Sequence, residues 1–289
     1  MQPLSWVAIA AIVAAFAWTF WRHTPLSYTL SFAILAVFVL TYVDGFVFVD
    51  LAWRVDVFGD SPPWTFLTTV FVHAGPMHLF FNLLGFLLIT PTLEERIGPL
   101  RLGLLFVLGA AVGQIVFAAV RLSSGSGFIL VGASGGLLAA LGAFGRLYPR
   151  ERMSFFLPPI ILPAVPVLWV VVGYLLFSFV MTTAGPTGIA NEAHLGGIAF
   201  GFAVAPLVMR IEVKRAAKLA TFDASVLDSL ATTRELREVL DELKAADVPE
   251  VRSAWLDKFA ANAKCPRCTG PVRLRGRSLR SACGWRQRL

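Results

Sequence analysis

Along this chain, long apolar runs alternate with short polar connectors. Seven runs stand out: Leu4–Trp21, Tyr28–Val49, His78–Leu93, Leu102–Val120, Phe128–Gly145, Ile160–Met181 and Ala193–Met209. Each is near the ~20 residues that a helix needs to cross a hydrocarbon core. The runs are continuous rather than alternating with period two, so the pattern predicts spanning helices and not a membrane β-barrel. No Lys or Arg precedes the first run, and the run is longer than the apolar part of a secretion signal, so it is expected to be a spanning helix. Between the second and third runs lies Asp50–Met77, with Trp53, Phe58, Trp64, Phe66 and Phe71 among Gly59, Pro62 and Pro63. Such aromatic content suits a segment resting in the membrane interface.

Beyond residue 210 the pattern changes. Leu227, Leu230, Leu236, Leu240 and Leu243 recur among charged residues, so 211–262 reads as helical, with Pro249 ending or interrupting the run. Composition agrees with this division. The chain is 57% hydrophobic and 15% charged over 289 residues, whereas a soluble domain is nearer half apolar and a quarter charged. Residues 1–220 hold 12 Lys/Arg and 9 Asp/Glu, and 221–289 hold 13 and 9. A short soluble tail therefore carries about half the charge.

Loop charges orient the spans. One side would carry Arg22, Arg96, Arg101, Arg146, Arg150, Arg152, Arg210, Lys214, Arg215 and Lys218, and the other only Arg54 and Arg121. The bias puts the N-terminus outside and the tail in the cytoplasm, in a multi-pass protein of the cell membrane.

Polar groups inside apolar helices are costly, so they are functional candidates. His78 and Asn82 open the third run at i and i+4, on one helix face. Gly132-Ala-Ser134-Gly135-Gly136 lies early in the fifth run, with Ser134 about six residues in. Asn191-Glu-Ala-His194 opens the seventh. All three runs cross from outside to inside, so these groups lie at similar depth. Gly197 and Gly201 share the stripe of His194, and Gly135, Ala139 and Gly142 form another, which lets the two helices approach closely. A serine hydroxyl beside an imidazole can act as a nucleophile with its own general base. His78, the Asn82 amide and the Ser134 backbone N–H are candidate donors to a developing oxyanion. Glu192 precedes His194 by two positions and faces elsewhere, so the pattern is a Ser–His dyad. His73, Glu94 and Gln114 read as structural, and Asp44, an acid with no titrating partner chain, reads as lying near the outer interface.

The stretch from Trp64 to Met209 resembles the rhomboid intramembrane serine proteases. The resemblance rests on Phe71-Val-His73-Ala-Gly-Pro-Met-His78-Leu-Phe-Phe-Asn82, Glu94-Glu-Arg96-Ile-Gly98, Gly132-Ala-Ser134-Gly135 and Ala193-His194-Leu-Gly-Gly197-Ile-Ala-Phe-Gly201, in this order. It implies that Ser134 is the nucleophile and His194 the general base and acid. His78, Asn82 and Gly132 would belong to the oxyanion and substrate-binding region, and Phe81, Tyr174 and Leu175 to a gate for the substrate helix. It also implies single-span membrane proteins as substrates, cut near the outer surface of the lipid bilayer, with no cofactor for catalysis. Many members carry an aromatic four residues after the nucleophile, where this chain has Leu138.

The expected organisation is an extra spanning helix (1–27), a six-helix rhomboid-like core (28–212), a helical linker (213–262) and a tail resembling a zinc ribbon (263–289). In the tail, Cys265-Pro-Arg-Cys268 and Cys283 are candidate ligands for a structural zinc. The ribbon is degenerate, because Arg280 stands where a fourth thiol is expected. Arginines near these cysteines suit a surface beside anionic lipid, with nucleic acid the weaker reading. Two alternatives differ in class: a catalytically silent rhomboid-like binder of transmembrane clients, and a small transporter. The transporter is opposed by the lack of paired intramembrane acids and inverted repeats.

Overall fold

The computed structural model describes residues 1–55, 61–157, 160–183, 188–211, 222–275 and 277–289. Phe58, Gly59, Lys214, Arg215 and Lys218 lie outside the described residues. The chain forms two compact units, Met1–Glu94 with Pro99–Met209, and Arg210–Leu289 with Glu95–Gly98.

The first unit contains α1 (Pro3–Arg22), α2 (Leu26–Val43), α3 (Gly45–Leu51), β1 (Trp53–Val55), α4 (Thr65–Thr68), α5 (Pro76–Ile97) as far as Glu94, α6 (Pro99–Ser123), β2 (Phe128–Leu130), α7 (Ser134–Leu147), β3 (Arg152–Leu157), β4 (Ile160–Pro166), α8 (Val167–Thr183) and α9 (Asn191–Val208). Among the described residues four helices, α1, α2, α5 and α6, are long and apolar enough to cross a membrane. Phe32, Leu108, Ile115, Trp169 and Leu176 are exposed on helix surfaces, as expected where lipid is the solvent. This is an integral membrane protein.

Three runs are shorter as helices than their apolar lengths predict. The second breaks at Asp44, whose carboxylate accepts from the Phe46 N–H at 3.0 Å and starts α3. The fifth does not begin as a helix: Phe128–Leu130 is a strand paired antiparallel with Trp53–Val55. Helix α7 starts only at Ser134 and has 14 residues. The sixth begins as β4, paired with β3, and turns helical at Val167. An apolar run cannot by itself separate a strand from a helix.

Helix α7 is the centre of the unit, with every residue from Gly135 to Gly145 buried. Its neighbours approach backbone to backbone. A Cβ on Gly201 of α9 would collide with the Ala139 carbonyl, and one on Gly197 with the Gly135 carbonyl. A Cβ on Gly109 of α6 would strike Ala139 from the other side. Close approach of this kind supplies the van der Waals contact that holds membrane helices together.

Polar clips fix the periphery. The buried carboxylate of Glu94 accepts from the Leu26 and Ser27 N–H groups at 2.6 and 2.8 Å and from Ser27 Oγ at 2.6 Å. It thereby satisfies free donors at the start of α2. Asp50 does the same for α1, accepting from Gln2 N at 2.8 Å and Ser5 Oγ at 2.6 Å.

The second unit has a 3₁₀ segment at Ala224–Leu230, α10 (Arg234–Ala245), α11 (Pro249–Asn262) and a three-stranded sheet of β5 (Val272–Arg275), β6 (Ser278–Ser281) and β7 (Arg286–Arg288). The Thr233 hydroxyl caps α10. Pro249 opens α11 rather than ending a helix, since the missing N–H costs nothing in a first turn. Leu227, Leu240, Leu243, Leu256, Phe259 and Leu279 form its core.

Candidate active site

Ser134 is the first residue of α7, after Ala133 as N-cap. Its backbone N–H is therefore one of the four that an α-helix leaves without an internal partner. The turn before it needs Gly132, which has φ of +119°. A Cβ at Gly132 would lie 2.7 Å from His78 Nε2, so the imidazole packs directly on this glycine. The Gly132 N–H donates to the Thr69 carbonyl at 3.1 Å. The Thr69 hydroxyl in turn bonds the Leu130 carbonyl. Strand β2 and the segment around Thr69 thus hold the approach to Ser134 in place. Trp53 stacks edge-on against Phe66 and Phe128, at 5.0 and 5.1 Å between ring centroids.

His194 lies in the first turn of α9 and is buried. Its Nε2 is 2.8 Å from Ser134 Oγ. Its Nδ1 is 3.2 Å from the Tyr174 hydroxyl of α8. Three helices thus meet at one imidazole. Tyr174, expected as a gate residue, reaches the site itself. Sequence spacing gave no sign of this, because Tyr174 is one of many aromatics on an apolar helix. Glu192 faces away from the imidazole and pairs with Arg121 at 3.3 Å.

On α5, the His78 ring accepts at Nδ1 from the Ala74 N–H at 3.4 Å. Asn82 donates from Nδ2 to the His78 carbonyl at 2.9 Å. Its Oδ1 is buried without a hydrogen-bond partner among the described residues. Phe81 is exposed and Leu175 half-buried on the surfaces of α5 and α8. A recess beside the hydroxyl is lined by Thr69, Ala110, Gln114, Gly132, Ser134 and Ala193. In the tail, the sulfur atoms of Cys265, Cys268 and Cys283 all lie within 4.8 Å of one another and could hold a metal.

The Rhomboid domain family matches residues 60–211, more than half of the chain. The chain belongs to the rhomboid family. Among characterised relatives it is similar to the rhomboid protease GlpG of Yersinia enterocolitica, at 28% identity over 186 residues, covering 63% of this chain and 62% of the relative. It is also similar to the rhomboid protease GlpG of Klebsiella pneumoniae, at 30% identity over 193 residues, with 64% of each covered. The chain therefore spans less than two thirds of the length of these relatives. The rhomboid match contains Ser134, His194, His78, Asn82 and Tyr174.

Proposed function

We propose that this rhomboid is an intramembrane serine endopeptidase that cleaves transmembrane segments of single-span membrane proteins near the outer surface of the cell membrane. The observation that carries the reading is the 2.8 Å contact between Ser134 Oγ and His194 Nε2, made between two helices inside an apolar bundle. Ser134 Oγ attacks the scissile carbonyl carbon and passes its proton to Nε2. The tetrahedral oxyanion is met by the Ser134 N–H at the positive end of α7, with His78 and Asn82 as further donors. The intermediate collapses to an acyl-enzyme as Nε2 returns the proton to the leaving amine. Water, with His194 as base, then releases the acyl group. Phe81 and Leu175 would flank the entry of the substrate helix between α5 and α8.

In the tail, three thiolates so close together fit a tetrahedral zinc site, with water or a carboxylate as fourth ligand. When bound, zinc would cross-link the Cys265–Cys268 turn to Cys283 and supply folding energy rather than catalysis. The arginine-rich loop ends support a cytoplasmic tail.

The deciding experiment is labelling with a fluorophosphonate, together with cleavage of a single-span reporter in proteoliposomes. Wild type should label and cleave. Ser134→Ala and His194→Ala should each lose at least about a thousand-fold in cleavage. Equal labelling of wild type and Ser134→Ala would remove the serine from the chemistry and favour the silent-binder reading.

A further inference from the structure

We propose that the tail sheet is a docking surface for the phosphate groups of anionic lipid. Strand pairing sets Arg273 opposite Arg280 and Arg280 opposite Arg286. Arg275 lies opposite Ser278, and Ser278 opposite Arg288. Side chains alternate along a strand, so Arg273, Arg275, Arg280, Arg286 and Arg288 share one face. All five are exposed. The other face carries Val272 and Leu279, both buried in the tail core. Among the described residues none of the five arginines is in an ion pair. Arg286 donates from Nε to Ser278 Oγ at 3.1 Å, in the middle of the face. Like charges directly across a sheet repel, so three guanidinium groups in one row favour an added anion with several acceptors. The planar guanidinium fork matches phosphate in two-point geometry.

The choice of a lipid phosphate rests on two observations. The chain between Val208 of α9 and Phe222 of the tail reaches at most about 50 Å fully extended. The tail is therefore tethered to a membrane-integrated unit and meets lipid headgroups at high effective concentration. Second, Trp285 is the only aromatic in 263–289, and it packs against the tail core. The face thus has no ring on which a nucleic-acid base could stack. The inference needs membrane integration alone and does not rest on the protease reading.

Arginine footprinting of the full chain tests it. The chain is placed in nanodiscs of phosphatidylcholine, with or without phosphatidylglycerol, and treated with phenylglyoxal. Modification is read by mass spectrometry. The five arginines should react at least about five-fold more slowly in anionic discs, an effect that added salt removes. Arg234, exposed on α10, should react alike in both. Equal rates for the five, or equal slowing of Arg234, would overturn the proposal. Protection in neutral discs by glycerol phosphate would assign the face to free anions instead. Protection by a short RNA but not by anionic discs would assign it to nucleic acid.

Discussion

A neutral imidazole has one donor and one acceptor nitrogen. If His194 Nε2 is to accept the Ser134 proton, Nδ1 must carry the hydrogen and needs an acceptor. The Tyr174 hydroxyl, 3.2 Å away, fills that place. Leu138, one turn after Ser134, is buried and aliphatic and has nothing to offer Nδ1. Tyr174 is thus a positioning residue for the proposed reaction. Tyr174→Phe keeps the ring and removes one hydrogen bond, worth about 1.4 kcal/mol, so kcat should fall about tenfold with KM nearly unchanged. Steady-state cleavage of a reporter substrate checks this. An unchanged kcat would leave Tyr174 as a gate residue alone. The other groups of the site were legible as residues, because polar side chains at one depth in apolar helices have few structural reasons to be there. Tyr174 was not, because a tyrosine on a lipid-facing helix is ordinary and its reach depends on helix rotation.

At the scale of elements, the site exists because α7 and α9 touch through backbone. Gly201 faces the Ala139 carbonyl with no side chain between them. In Gly201→Val the new atoms meet main chain that cannot turn aside, and overpacking of this kind costs roughly 1–3 kcal/mol. The variant should melt at lower temperature and lose fluorophosphonate labelling, since the helices that carry Ser134 and His194 would be pushed apart. Gly173 of α8 is the contrast, with nothing among the described residues within 4 Å of an added Cβ. Gly173→Ala should leave labelling intact and keep or raise the melting temperature, because alanine favours a helix over glycine by about 1 kcal/mol. Thermal unfolding in detergent compares the two. The glycine stripes were visible in the sequence as small residues at helical spacing. The strands were not. Phe128–Leu130 is as apolar as a helix, and only its pairing with Trp53–Val55 reveals it as a strand. That pairing joins residues about 75 positions apart in the chain, which no local pattern encodes. The same strand shortens α7 and brings Ser134 to a helix start, where its N–H is free.

At the scale of the molecule, the dyad lies in one compact unit and the cysteine cluster in the other. The cysteine cluster should therefore govern tail stability without governing chemistry. Cys268 is pulled down from 9.0 to about 6 by hydrogen bonds from the Ser281 hydroxyl first, then from Cys283 and the Gly270 backbone. A lowered thiol pKa means that the thiolate is present at neutral pH and is lost as pH falls through about 6. Alkylation of Cys268 in metal-free protein should accordingly reach half its maximal rate near pH 6, far below an ordinary thiol, and zinc should block it. Metal held by these sulfurs should be released as pH falls, because protons compete for the ligands. Cys265 is buried against Leu256, Phe259 and Val272 in the tail core, so Cys265→Ser removes a ligand and an apolar contact together. This variant, or chelation of wild type, should make 222–289 sensitive to trypsin while kcat/KM on a reporter stays within about twofold, since the dyad and the cysteines belong to separately packed units. Limited proteolysis and cleavage measured on the same sample would check both parts. A parallel collapse of activity would mean that the tail supports the dyad, and the independence of the two units would have to be given up.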